Sequence, residues 1–196
     1  MSNKLVQGIG INDSSSAVVK TETVGGKSRQ VWMCPFYKRW KDMLKRCYSK
    51  SFHRSRPTYK DCVVTVEWHT FSNFKGWMEK QDWEGKVLDK DIFGDGKVYS
   101  PATCIFISAF VNVFVEGGRS DKELPLGVCW SEEKRKYRAY GRIKGKTSYL
   151  GQSDCPLECY SFWKEHKLDL TEKHLREMKD PSDIKALKEY KRKLLT

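Results

Sequence analysis

The sequence has no apolar run near the roughly 20 residues that a membrane-spanning helix needs. Its opening, MSNKLVQGIGINDSSS, lacks the charged-then-apolar layout of a secretory leader. A membrane or exported protein is therefore not expected, and a cytoplasmic one is. The seven cysteines contain no CxxC pair. Their odd number in a reducing compartment points to thiols or metal ligands before disulfides. Acidic residues are in short supply: 25 Asp and Glu stand against 37 Lys and Arg, a net charge of +12. Such a surface draws polyanions, nucleic acid first among them. Material for a core is not lacking, since 39% hydrophobic residues and seven Trp exclude wholesale disorder. A chain of 196 residues is long enough for one sizeable core or two modest ones, and two are expected.

Residues 1–33 are rich in Ser, Gly, Asn and Lys and read as a loose N-terminal arm, with a first strand around Val18 to Thr23. From Phe36 to Tyr48 the apolar residues recur at three- and four-residue spacing, with Lys and Arg between them, which predicts an amphipathic helix. SKSFHRSRPTYKD reads as a loop, CVVTVEW as a short strand, and Thr70 to Lys80 as a helix with Phe71, Phe74, Trp77 and Met78 on one side. VLDKDIF and TCIFI are predicted strands flanking the turn GDGKVYSP, and SAFVNVFVE is a predicted helix, so the order is ββα. Residues 117–125 mix Gly, charge and Pro and read as a linker. Beyond it, LGVCWSEE, KYRAYGRIKG and TSYLGQS predict three strands, followed by a helix from about Pro156 to His166. Residues 171–196 predict a charged helical tail broken at Pro181. The expected class is α+β: a ββα core with a helical leader over 34–116, then a three-stranded antiparallel sheet plus helix over 126–170, then the tail.

The segment LDKDIFGDGKVYSPATCIFISAFVN, residues 88–112, resembles the ββα-metal finger of HNH endonucleases in the variant found among phage homing-type proteins. CPFYKRWKDMLKRCYS, PTYKDCVVTVEW and FSNFKGWME resemble the regions that precede this finger, so the likeness covers about residues 34 to 115. The resemblance implies that Asp89 and Asn112 hold one divalent ion, Mg²⁺ or Mn²⁺, and that Lys90 stands where the finger carries its water-activating His. A hard cation does prefer carboxylate and amide oxygens and keeps several waters. A lysine, however, is protonated at neutral pH unless its surroundings lower its pKa by several units. Either Asp91, the nearest carboxylate, activates the water, or Lys90 only positions a phosphate, or the fold serves as a binder without cleavage. His53, His69, His166 and His174 all lie outside the segment; His69, beside an aromatic cluster, reads first as a structural or solvated residue and only second as one that reaches the site through space. Asp95 sits in a GDG turn, where its side chain naturally bonds the backbone.

Cys34, Cys47, Cys62 and Cys104 fall in the segments that carry the likeness. Two roles are open to them, a structural Zn²⁺ site or core packing. The stretch LPLGVCWSEEKRKYRAYGRIKGKTSYLGQSDCPLECYSFWKEH resembles the apetala or ethylene-response type of DNA-binding domain. Lys134 to Lys146 holds seven basic residues and no acidic one, and strand alternation sends Arg138, Tyr140 and Arg142 to one face. The expected contacts to double-stranded DNA are Arg135, Arg138, Tyr140, Arg142, Lys144 and Lys146, with Trp130 touching DNA or packing. The leading expectation is a metal-dependent DNA endonuclease or nickase, acting in the bacterial cytoplasm if the gene is a phage's. The alternative is an inactive HNH-fold binder, a repressor or an anti-host factor. A third reading, an effector that meets an acidic protein, stands behind both.

Overall fold

The computed structural model describes residues 5–116, 123–143 and 145–196. Among these the chain is a mixed α+β fold with six α-helices and several small sheets. It separates into two compact units, Met1–Phe106 and Ile107–Thr196. No helix among the described residues is long and apolar enough to cross a membrane.

In the first unit, β1 (Val19–Val24) and β2 (Lys27–Met33) form an antiparallel hairpin where the sequence predicts a loose arm with one strand. Gly25 and Gly26 make this possible, since both adopt positive φ, 59° and 74°, as a two-residue hairpin turn requires. Helix α1 (Pro35–Tyr48) starts on a proline and buries Tyr37, Trp40, Met43, Leu44 and Cys47, the stripe that the spacing predicts. Trp40 is fully buried, and its Nε1 donates to the Trp68 carbonyl at 2.7 Å.

The predicted loop after α1 contains a short helix, α2 (Lys50–Ser55). Two local contacts close it: the Ser49 hydroxyl accepts the Phe52 N–H at 3.3 Å, and the Phe52 ring meets Tyr59 at 5.6 Å. β3 (Val63–Val64) is shorter than predicted, because Val66–His69 turns into a 3-10 helix. Helix α3 (Phe71–Met78) buries Phe71, Phe74 and Met78. β4 (Val87–Asp89), β5 (Val98–Tyr99) and β6 (Ile105–Ile107) complete the unit; β3 pairs with β5 in parallel and β4 pairs with β6.

The second unit begins with α4 (Ala109–Val115), whose N-terminus is capped by the Ser108 hydroxyl accepting the Val111 N–H at 3.2 Å. β7 (Val128–Ser131), β8 (Lys136–Ile143) and β9 (Lys146–Ser153) form the predicted antiparallel sheet. α5 (Pro156–Glu177) packs on it, and α6 (Pro181–Leu195) packs on α5 and α4. The division into units falls ahead of α4, whereas the sequence places α4 in the first core and a linker behind it. The cause is an anchor between α4 and α6: the Ser108 N–H donates to the Asp183 carboxylate at 2.8 Å, and Phe114 meets Tyr190 edge-on at 5.8 Å. Residues 117–122 of the predicted linker lie outside the described residues. α5 also runs past its predicted end and through the expected boundary at residue 170, since neither Gly nor Pro interrupts the chain before Pro181. There Asp180 caps α6 by accepting the Ser182 and Asp183 N–H groups.

Lys167 of α5 is enclosed by this helical cluster. Its Nζ lies 3.7 Å from the centre of the Phe114 ring and 5.4 Å from that of Tyr190, and it donates to the Phe114 carbonyl at 2.6 Å. Burial lowers its pKa to about 8 from the usual lysine value. Between pH 8 and the unfolded value near 10.5, the unfolded state therefore binds more protons than the folded one, so stability rises with pH in that window. Below it both states are protonated and the folded state carries the desolvation cost, on the order of 2 kcal/mol after discounting for partial solvent screening. The stability gap by which Lys167→Met exceeds the wild type is expected to narrow as pH rises through the window, a difference of thermal melts in which the other titrating groups cancel.

Candidate functional site

Two constellations hold the residues singled out by the sequence, one in each unit. In the first unit, β4 ends at Asp89 because its Oδ1 accepts the N–H groups of Asp91 and Ile92, both at 3.0 Å, and turns the chain out of the strand. The predicted strand through Phe93 is cut short there. Asp89 is 4% exposed. Burial raises its pKa above the ordinary carboxylate value; the Ile92 N–H partly opposes the rise, and the charge of Asp91 adds to it.

Lys90 is buried, and its ammonium donates to Asp91 Oδ1 at 2.6 Å and to the Gly96 carbonyl at 2.5 Å. It also lies 5.3 Å and 5.5 Å from the ring centres of Tyr59 and Tyr99. Burial alone would lower its pKa, but the hydrogen bond and charge of Asp91 outweigh that, and the value ends above the usual one. A clamped, protonated ammonium has no lone pair with which to take a proton. Lys90 thus ties Asp91 and the 91–96 turn to the tyrosine pair, an arrangement that favours its protonated form. Asp91 itself is half exposed and engaged by Lys90. Asp95 accepts the Lys97 N–H at 2.9 Å, the turn role expected of it.

His69 Nε2 sits 3.3 Å from the Tyr48 hydroxyl and 3.1 Å from the Val64 carbonyl, an arrangement that braces β3. Asn112, on α4 of the second unit, donates to Glu116 Oε1 at 2.7 Å. Cys47 and Cys104 are buried thiols whose pKa burial pushes up to about 12, and Cys62 is raised for the same first reason. Cys34 is half-buried at the start of α1. Among the described residues no group of three or more His, Cys, Asp or Glu side chains is placed to hold a metal.

In the second unit, α5 defines the two faces of the sheet. Ala139 is fully buried, and a Cβ at Gly141 or Gly151 would run into His166 or Phe162 of α5. The alternate residues Arg138, Tyr140 and Arg142 therefore share the opposite, open face, in the arrangement read from the sequence. β9 adds to it through its register: Gln152 lies opposite Arg138, Tyr149 opposite Tyr140, and Thr147 opposite Arg142. The Arg138 guanidinium lies 4.8 Å from the Tyr149 ring centre and 5.5 Å from that of Tyr140, and the two rings meet edge-on at 6.0 Å. Arg142, Thr147, Tyr149 and Gln152 are exposed.

The other expected contacts sit elsewhere. Trp130 lies opposite Tyr137, on the α5 side, and packs edge-on against it at 4.9 Å, although it keeps 41% of its surface exposed. Arg135 is exposed in the β7–β8 turn with φ of 49°, and Lys146 is exposed opposite Ile143 at the start of β9. Lys144 lies outside the described residues. Thr147, Tyr149 and Gln152 are open-face residues that sequence reasoning missed. Alternation along TSYLGQS brings Tyr149 and Gly151 to one side, but a register shift beside Tyr140 leaves Leu150 as an extra residue and moves Gln152 to the open face instead. Comparison with protein-family models, with curated proteins and with solved structures returned no match.

Proposed function

We propose that this chain binds double-stranded DNA through the open face of β7–β9. The observation that carries this reading is the Arg138 guanidinium held against Tyr140 and Tyr149, on a sheet surface whose opposite side is occupied by α5. Stacking restricts a long side chain before any partner arrives, so less rotamer entropy is lost on binding. The planar fork then suits the O6 and N7 edge of guanine in a major groove wide enough for a sheet ribbon, while Arg142 meets phosphate. The net charge of +12 adds a general attraction. The test is a titration of duplex DNA at several salt concentrations. Affinity that falls steeply with salt is expected, because each phosphate neutralised releases counterions. An affinity for duplex DNA indifferent to salt overturns the reading.

A second reading adds metal-dependent phosphodiester hydrolysis of the HNH type, and Asp89 favours it. A buried carboxylate with a raised pKa gains from a nearby cation, and its backbone bonds fix its direction. A carboxylate such as Asp89 suits a hard ion such as Mg²⁺ or Mn²⁺, which completes its shell with water and substrate phosphates. Such an ion, when bound, would stabilise charge on the phosphate and the departing oxygen. The role left to Lys90 is to hold Asp91, so water activation falls to a carboxylate or to a water chain. Supercoiled plasmid incubated with Mg²⁺, Mn²⁺ or EDTA tests this. Metal-dependent nicks that disappear in Asp89→Asn are expected, and this substitution keeps an oxygen that can still accept the N–H groups of Asp91 and Ile92. DNA bound but never cut leaves the binding reading alone, that of a repressor or an anti-host factor.

A further inference from the structure

The β1–β2 hairpin takes no part in either reading, yet it is the most exposed ordered element of the first unit. Cross-strand partners share a face, and the register sorts the hairpin into two. Val19–Met33, Thr21–Gln30 and Thr23–Ser28 lie on one side, and Lys20–Trp32, Glu22–Arg29 and Val24–Lys27 on the other. Val19 and Met33, at the root, pack on the core of the unit. From Lys20 to Trp32 every residue is exposed. A two-stranded ribbon in water is marginally stable by itself. This one also leaves Val24, Val31 and Trp32 at 66%, 49% and 42% exposure, and Lys20 Nζ rests 5.5 Å above the Trp32 ring.

Beside the root is a cleft of about 400 Å³, lined by Gln30 to Met33 of β2 and by Lys38, Lys41 and Asp42 of α1. The hairpin and the cleft together carry five cations, Lys20, Lys27, Arg29, Lys38 and Lys41, against two anions, Glu22 and Asp42, with Lys20 over the Trp32 ring near the root. The ribbon extends about 20 Å at the usual strand rise, enough to cross a major groove about 12 Å wide. Charge, width and an exposed indole together fit a nucleic-acid duplex.

We infer that the β1–β2 hairpin is a second DNA-contacting arm, which lays its Lys20, Lys27, Arg29 and Trp32 face against the phosphate backbone of the duplex. The inference rests on the DNA-binding reading above. Its contribution is electrostatic and indifferent to sequence, because ammonium and guanidinium groups meeting phosphate oxygens fix position without reading bases. The indole supplies a flat surface for a sugar or an opened base.

The test uses the full chain with Lys20→Ala, Lys27→Ala and Arg29→Ala combined, and Trp32→Ala separately. Far-UV circular dichroism and a urea melt establish that each variant keeps its fold. Affinity for a duplex of about 30 base pairs is then measured over about 50–300 mM salt. The triple variant is expected to bind about 10-fold more weakly at the low-salt end. Its log–log salt slope is expected to be shallower by about 2 to 3, near 0.9 for each phosphate that the arm no longer neutralises. Trp32→Ala is expected to weaken binding without changing the slope. If the triple variant keeps the wild-type slope while Arg138→Ala still weakens binding, the arm is refuted and the sheet reading stands. If the wild type has no affinity for the duplex but binds polyglutamate through these same residues, both fall, and the hairpin faces an acidic polypeptide.

Discussion

Arg138→Ala is expected to weaken binding to a preferred duplex by about 10- to 100-fold, the effect of removing one bidentate base interaction worth about 1–3 kcal/mol. The weakening is expected to be larger on that duplex than on random DNA, because a base contact carries sequence information and a phosphate contact does not. Arg138→Lys should not rescue it, since an ammonium neither lies flat against Tyr149 and Tyr140 nor presents two parallel donors. Tyr149→Ala, which removes the nearer ring, is expected to give a smaller effect of the same kind. Competition binding with preferred and random duplexes measures both. Equal weakening on the two DNAs for Arg138→Ala would reduce Arg138 to a phosphate contact and return the question of base reading to other residues.

Gly127→Ala is expected to be the most damaging conservative change in the second unit, costing about 3 kcal/mol of its stability. Two causes act together. Gly127 has φ of 76°, which costs an alanine roughly 1–2 kcal/mol, and a Cβ there would run into the Trp163 indole, an overpacking that costs roughly 1–3 kcal/mol. The indole has nowhere to retreat, because Trp163 is 4% exposed and stacks on Tyr160 at 5.7 Å. Urea unfolding followed by the far-UV signal measures the loss. A midpoint unchanged from the wild type would show that Trp163 can repack.

The periodic elements were legible in the sequence. The stripe of α1, the helix α3, the three strands β7 to β9 and the stop at Pro181 all follow from spacing and punctuation, signals that a single chain carries in full. What escaped depends on partners remote in sequence or on short caps. The hairpin β1–β2 has almost no apolar alternation, so its Gly-Gly turn was the one available sign. α2 is held by a serine cap and one aromatic contact, α4 is drawn to α6 by Asp183, and α5 outruns its predicted end for want of a breaker.

The candidate site divides in the same way. Alternation was sufficient to place Arg138, Tyr140 and Arg142 together, whereas Tyr149 and Gln152 needed the register of β9. For Lys90, the sequence raised the objection to a lysine base but not its cause, a salt bridge to the adjacent Asp91 and a carbonyl six residues on.

The tryptophans give the molecule a natural optical reporter. Five of the seven, Trp32, Trp40, Trp68, Trp77 and Trp83, lie in the first unit, and Trp130 and Trp163 lie in the second. The indoles of Trp68 and Trp77 are 4.6 Å apart and tilted by 51°, close enough for their excited states to couple. The exciton contribution of that pair to the near-ultraviolet dichroism therefore reports on the packing of the first unit.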